Sequence, residues 1–262
     1  MMKLFLDYKL NESGKGKMLR RLIPELEKIG VTTHYKKKGC DVALGISKWQ
    51  NKPNMPRVLR VDGVYLRGGK KERWRNKNIR KSIKQSHAVI FQSKFAQRTV
   101  KKRLKIQPLK ECVIYNGANP AEYHRNVMGF DLFGVIMFAN WRDRKHKRLS
   151  RHVKWAKDHP DKKCYLIGEC DVKSTDNLEV VGQLPEKDLK EYLASVGSMV
   201  YLADLDWCPN SVVEARVAGL NVIYDPKCKA VKELCGLDIK ELHIDNVALK
   251  YKKVFEEIQT CL

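Results

Sequence analysis

Short apolar runs alternate with amphipathic stretches along the whole chain. Residues 2–8 (MKLFLDY) read as a strand, followed by a glycine-containing loop at 11–16. Over 17–29, Met18, Leu19, Leu22, Ile23, Leu26 and Ile29 recur at helical spacing and form one stripe. Further strands are expected at 31–34, 42–46, 57–61, 88–92 and 112–115, with helices at 78–85 and 93–104. A second series opens with a strand at 132–139 and continues with strands at 164–167, 178–181, 199–202 and 221–224. Helices near 147–158, 186–196 and 211–219 lie between them, and a last helix spans about 245–260.

Short strands alternating with helices imply parallel sheets covered on both faces. The segment Asn116-Gly117-Ala118-Asn119-Pro120 breaks both periodicities and reads as a hinge. The expected architecture is therefore α/β with two Rossmann-like domains, 1–118 and 119–244, and a closing helix, 245–262, that packs back toward the first. Two such open sheets are expected to face each other across a cleft at their strand carboxyl ends, where ligands bind in this architecture.

Composition changes the picture through charge. The chain of 262 residues carries a formal net charge of +22. Residues 1–124 hold 30 Lys and Arg against 9 Asp and Glu, a net of +21, and the remainder is almost balanced. A general lysine habit would tint both halves alike. The asymmetry points to a polyanionic partner for the first half, either nucleic acid or an anionic membrane surface. The eight cysteines show no Cys-x-x-Cys and no His-Cys cluster, which suits reduced thiols in a cytoplasmic protein and no metal site. Neither a signal peptide nor an apolar run of membrane-spanning length is expected. The stretch ESGKGKM, 12–18, lacks the first glycine and the Ser/Thr of a P-loop, but the amide of Gly14 at a helix start suits an anion.

Candidate chemistry concentrates in two loops of the second half. In DWCPNSVVEARVAGL, 206–220, a strand gives way to Asp206, a Pro-Asn-Ser turn and a helix holding Glu214. Asn210 or Ser211 suits the N-cap, and the amides of Ser211, Val212 and Val213 are expected to point outward with the positive end of the helix dipole. The carboxylates suit sugar hydroxyls beside a phosphate. An ordinary capped helix with a buried partner for Glu214 is the alternative. The other loop, NWRDRKHKRL, 140–149, follows a strand and is dense in Lys and Arg, so Arg142 and Lys147 suit a diphosphate.

These segments, in this order, resemble the family 4 retaining glycosyltransferases of the GT-B fold. DWCPNSVVEARVAG is similar to that family's donor-site signature, and NWRDRK-HK to its diphosphate-gripping loop. CYLIGE, 164–169, and LEVVGQLPEKDLKEYLASV, 178–196, resemble the elements that border the base. VIYNGAN, 113–119, resembles its hinge, AVIFQSKFAQ, 88–97, the helix-forming segment before that hinge, and ESGKGKM its first glycine-rich loop. The resemblance implies a UDP- or GDP-sugar donor as co-substrate, no bound cofactor and no metal. Arg142 and Lys147 would bind the diphosphate, Glu214 the ribose hydroxyls and Asp206 the transferred sugar. The backbone of Asn210, Ser211 and Val212 would cradle phosphate.

The family's first acidic position is usually Glu, and its diphosphate loop usually carries glycines; this chain departs on both counts. Where the family often has a cleft His, the counterpart here is Asp62. The resemblance also assigns the acceptor to the basic first domain, whose densest block is 66–84. Lys70, Lys71, Arg73, Trp74 and Arg75 are its candidate acceptor-binding residues. A polyanionic acceptor such as a hydroxylated or hydroxymethylated base in DNA leads, in a cytoplasmic monomer or weak oligomer of viral or phage type. A glycan or lipid-linked acceptor at an anionic membrane is the alternative. A degenerate nucleic-acid-binding module and a sugar-nucleotide-binding regulator or hydrolase are readings of other classes.

Overall fold

The computed structural model describes residues 1–51, 53–66, 68–123, 131–141 and 145–260. Met1–Gly117 together with Lys240–Leu262 form one compact unit, and Ala118–Ile239 form a second.

The first unit is built on β1 (Met2–Asp7), β2 (Val31–His34), β3 (Val42–Ile46), β4 (Arg57–Val61), β5 (Ala88–Phe91) and β6 (Glu111–Val113). All pair in parallel, in the order β2-β1-β3-β4-β5-β6. The chain runs from β1 to one side and then returns past it to the other, so strand order reverses at β1. Strands buried on both faces read as unbroken apolar runs, and every residue of β3 is buried. Leu4, Leu6, Leu44, Ile46, Val58 and Ile90 pack with Met18, Leu19, Leu22 and Leu26 of α1 (Gly14–Lys28). Val247, Tyr251, Phe255 and Ile258 of the last helix complete that core. The chain rejoins this unit at Lys240, before the expected 245, because Ile244 already belongs to its core.

Two glycines are sterically required here. A Cβ on Gly16 would lie 1.8 Å from the carbonyl oxygen of Asn11, and one on Gly117 would lie 2.9 Å from Cα of Ile244.

The remaining helices of this unit are α2 (Lys70–Lys84) and α3 (Lys94–Leu104). Apolar periodicity locates only the second half of α2, at 78–85. The helix starts earlier because Asn76 takes the place of an apolar residue on the buried face. Its side chain accepts from the N–H of Tyr65 (2.9 Å) and donates to the Tyr65 carbonyl (2.8 Å).

The second unit holds β7 (Asp131–Phe138), α4 (Leu149–Asp158), β8 (Cys164–Ile167), β9 (Leu178–Gly182), α5 (Glu186–Ser195), β10 (Val196–Tyr201), α6 (Asn210–Val217), β11 (Asn221–Tyr224) and α7 (Lys229–Cys235). Its strands are parallel, in the order β11-β10-β7-β8-β9. Helix α7, absent from the periodicity reading, is seven residues long and anchored by Ala230, Val231 and Leu234. The closing helix α8 (Ile244–Gln259) returns to the first unit. Among the described residues no helix is long and apolar enough to cross a membrane.

Candidate functional site

Because β7 and β10 are neighbours, the loops leaving their carboxyl ends lie side by side although far apart in sequence. Two aromatic residues hold them. Trp141 donates its indole N–H to the Ile167 carbonyl (2.9 Å) and meets the His152 ring edge-on at 4.9 Å. His152 accepts at Nε2 from the N–H of Leu202 (3.0 Å) and bonds through Nδ1 to the Arg148 carbonyl (3.0 Å). That pattern requires the neutral Nδ1–H tautomer. Burial pushes the imidazole pKa down to about 4, and the charges of Lys147 and Arg151 add to the effect against the Arg148 carbonyl bond.

Within this frame Lys147, Tyr201 and Asp206 meet. Lys147 Nζ lies 2.6 Å from the Tyr201 hydroxyl and 2.6 Å from Asp206 Oδ2, and the hydroxyl donates to the same oxygen at 2.8 Å. The other carboxylate oxygen accepts from the N–H of Trp207 (2.7 Å). Burial alone would raise the Asp206 pKa. The ammonium of Lys147, the hydroxyl and the backbone donor outweigh it and hold the carboxyl below its ordinary range. Lys147 and Asp206, expected to grip different parts of a ligand, are thus each other's partners. An ammonium has three protons, and these two contacts use two of them.

Asp204, Leu205 and Asp206 also spell an Asp-x-Asp sequence, a pattern that elsewhere can ligate a divalent cation. Here Asp204 is paired with Arg148 and, at 3.0 Å, with Arg151, while Asp206 holds Lys147. A cation at this pair would have to displace three basic side chains. Among the described residues no cluster of His, Cys, Asp and Glu suits a metal ion.

The helix start differs from expectation. Pro209 is the N-cap of α6, and neither Asn210 nor Ser211 caps with its side chain, since Asn210 is already helical. The amides of Val212 and Val213 both donate to the Pro209 carbonyl, at 3.1 and 3.2 Å. Of the amides expected to face outward, those two are therefore taken up by the first turn. Glu214 lies in the same helix and is buried. Arg142 lies outside the described residues.

The first unit carries a comparable cluster at the carboxyl ends of β3 and β4. Asp62 Oδ2 accepts from the Ser47 hydroxyl (2.5 Å) and lies 3.1 Å from Lys15 Nζ, which also reaches Ser47 Oγ at 2.6 Å. Oδ1 is bound by Arg60, a fully buried side chain whose Nη2 reaches Gln92 Oε1 (2.9 Å) and Asn116 Oδ1 (2.7 Å). Burial pushes the Asp62 pKa up, but Arg60, Lys15 and Ser47 together bring it below the ordinary range. Ser47 has φ 63°, the left-handed region, in which a residue with a Cβ is uncommon. Asp62, expected to touch an acceptor, is thus the anchor of an internal ion network. Gly14 opens α1 one residue before Lys15, after the Ser13 cap.

Along α2, Lys70, Lys71, Arg73 and Trp74 are exposed. Arg75 is less exposed than these. Its guanidinium stacks 5.0 Å from the Tyr65 ring centroid and is half-buried. Lys48 Nζ lies 6.0 Å from the Trp74 ring. Sequence reasoning gave Lys15 only a backbone amide for an anion, not an ion pair, and missed Ser47, Arg60, His152 and Tyr201. Arg60 had a signal, an arginine inside an otherwise apolar strand two residues before an aspartate. The others had none.

No protein-family model matches this sequence, and no curated protein sequence matches it. Solved structures do. Sucrose-phosphate synthase from Thermosynechococcus elongatus superposes with a TM-score of 0.75 at 11% identity, covering 100% of both chains. The Anabaena protein HepE, solved with UDP and glucose, gives 0.67 at 13% identity, covering 98% of this chain and 100% of its own. WaaG, a glycosyltransferase involved in lipopolysaccharide biosynthesis, gives 0.63 at 13% identity, covering 99% and 92%. The fold is that of the GT-B glycosyltransferases. At such identities the likeness concerns the fold.

Proposed function

We propose that this chain is a family 4-like glycosyltransferase that moves a sugar from a nucleotide diphosphate sugar to an acceptor hydroxyl, with retention and without a metal. The observation that carries the reading is the Lys147–Tyr201–Asp206 cluster beside the start of α6, at the carboxyl ends of β10 and β7. Structures of this fold hold UDP, and in one case UDP-glucose. In transfer the bond between the anomeric carbon and the diphosphate oxygen breaks. The acceptor oxygen bonds to the same face of that carbon, and its proton passes to the departing oxygen. The protein supplies a fixed positive field where negative charge develops. Lys147 contributes its third proton there, and Arg142 is assigned the opposite side of the diphosphate. Asp206 is assigned the transferred sugar, Glu214 the ribose, and the start of α6 the phosphates.

The acceptor in this reading is polyanionic, a hydroxylated base in DNA. Its support is the face of α2 and α3: residues 70–105 contain fourteen Lys and Arg and a single acid, Glu72. No acidic side chain pairs, among the described residues, with Lys70, Lys71, Arg73, Lys77, Lys81, Lys84, Arg98 or Lys102. The test is transfer of label from a UDP- and GDP-sugar panel to hydroxymethylated duplex DNA, with anionic vesicles and glycan as competitors. Label on DNA is the expected outcome. Label confined to lipid or glycan assigns the basic face to a membrane. In parallel, Glu214→Ala is expected to abolish donor binding by calorimetry, and unchanged binding removes the donor site as drawn.

A further inference from the structure

The first unit contains a cavity of about 490 Å³ at the carboxyl end of β1, where the strand order reverses. In open parallel sheets this position is where ligands enter, and the volume is that of a small-molecule site. Its walls include Tyr8, Leu10 and Tyr35, with Lys9, Gln50 and Asn51 supplying polar groups. We propose that this cavity receives the acceptor itself: a single base swung out of a nucleic acid strand, with the neighbouring phosphates held by lysines on the rim. The proposal rests on the transferase reading above and names where its acceptor ring sits.

Three observations carry it. The first is that the walls are fixed without a ligand. Asp7 is 2% exposed, and its carboxylate accepts from the backbone N–H of Gln50 (2.7 Å) and Asn51 (3.0 Å) and from the Asn51 side chain (2.6 Å). This clamps the loop after β3 against the end of β1. The Tyr8 hydroxyl bonds Asn11 Oδ1 (3.3 Å) and Ser13 Oγ (3.2 Å), which sets its ring.

The second observation is chemical. Tyr35 is 57% exposed and lies on the rim, the geometry of a stacking platform and not of a core residue. Asn51 uses its amide N–H on Asp7, which leaves its oxygen as an acceptor, and Gln50 is exposed beside it. Flat aromatic walls with amide edges match the faces and edges of a base. An acyl chain would find no use for the amides.

The third is charge. Lys36, Lys37 and Lys38 follow Tyr35 directly, Lys9 lines the cavity, and Lys48 precedes Gln50 by two residues. Lys48 Nζ lies 6.0 Å from the Trp74 ring, which links the loop after β3 to the basic helix α2. A neutral sugar acceptor would leave these cations without a counterpart. A strand of nucleic acid supplies both the base and the phosphates.

The experiment uses the full chain and two single-stranded oligonucleotides of equal length and charge, one with bases and one abasic, in fluorescence anisotropy. Tyr35→Ala and Gln50→Ala alter exposed side chains. Each is expected to weaken binding of the base-bearing strand by about tenfold for Tyr35 and a few-fold for Gln50, leaving the abasic strand unchanged. Replacing Lys36, Lys37 and Lys38 together by Gln is expected to weaken both strands alike. Equal losses on both strands for Tyr35→Ala, or no loss on either, overturn the proposal. So does preferential capture by phosphatidylserine vesicles that Tyr35→Ala does not affect. Calorimetry with the UDP- and GDP-sugar panel is run on the same preparations. Donor binding with an inert Tyr35 removes the pocket and keeps the transferase; base-selective loss without donor binding does the reverse.

Discussion

Asp62 and Asp206 are two versions of one device. Each follows a central parallel strand, accepts from a lysine and a hydroxyl, and is held ionised by them against the effect of burial. The partners are Lys15 and Ser47 in one unit, and Lys147 and Tyr201 in the other. The difference is a second cation. Arg60 lies beneath Asp62 with almost no exposure, so the first cluster has two positive charges on one carboxylate, while the second is balanced. The first carboxylate is bound to structure on both sides. The second carboxylate faces a single cation, and that lysine is the more buried of the two, its side chain 10% exposed against 39% for Lys15. The first contact is assigned to stability, and the second, in the function proposed above, to chemistry.

Breaking each device should separate those roles. Asp62→Ala removes the carboxylate from the buried Arg60 guanidinium and leaves it neutral partners such as Gln92, Asn116 and Tyr251, and removing one member of a buried pair costs about 3–5 kcal/mol. Denaturant unfolding should show a loss of that size. A loss below about 1 kcal/mol would end the comparison, because the neutral partners of Arg60 would then suffice. Lys147→Ala should act on turnover instead, with a fall of about 100- to 1,000-fold, the usual cost of one preorganised donor at a developing negative charge. Its stability loss should be the smaller of the two, since Asp206 keeps the Tyr201 hydroxyl and the Trp207 amide. A Lys147→Ala protein that unfolds but still turns over at the native rate reverses the assignment.

The frame around the second device brings a pH dependence that the first lacks. His152 is 1% exposed, and its pKa falls to about 4 on folding from an ordinary 6.5. Between those values the unfolded chain binds a proton that the folded chain refuses. Stability therefore rises with pH across this window and is complete above about 6.5. The full difference is about 3 kcal/mol as an upper bound. Unfolding curves at pH 4.5, 5.5 and 7 should show this slope, and His152→Gln should reduce it, leaving the part due to His87, whose pKa burial and Arg57 also depress. The two depressed aspartates act lower: their contribution is present above about pH 4 and is lost as pH falls through their folded values. A slope confined below pH 4 in the native chain would mean that His152 is protonated in place.

What the sequence discloses follows from distance along it. The alternation of strands and helices is local, and most elements stand within a few residues of their expected bounds. Asp206 and Glu214 are close in sequence and are read from it together. The pairing of Lys147 with Asp206 spans 59 residues and exists only because β10 lies beside β7. Sheet order is not a local property, so the two residues read as separate grips. Pro209 illustrates a smaller failure. Asn210 and Ser211 are both good caps by type, but the proline sets an extended backbone directly before Asn210 and takes the cap position itself. The start of α2 was hidden for a third reason: a hydrogen-bonding asparagine on its buried face breaks the apolar period.

The smallest expected effect tests how the two units differ in charge. Arg73 and Arg75 are equivalent in composition, and a reading by charge density gives them one role. In the fold Arg73 is exposed, whereas Arg75 covers the Tyr65 ring and is half-buried. A cation counts in polyanion binding when it displaces a counterion at a phosphate, and each such contact contributes about one unit to the salt slope. Arg73→Gln should therefore lower the slope of log affinity against log salt by about one, and Arg75→Gln by clearly less. The guanidinium–ring contact also contributes about 0.5–1 kcal/mol at such a site, so Arg75→Gln should reduce stability where Arg73→Gln does not. Equal slopes for the two variants would show that Arg75 leaves Tyr65 to meet the polyanion. The aromatic side chain would then be uncovered in the complex, and the face of α2 would bind through rearrangement instead of through charges already in place.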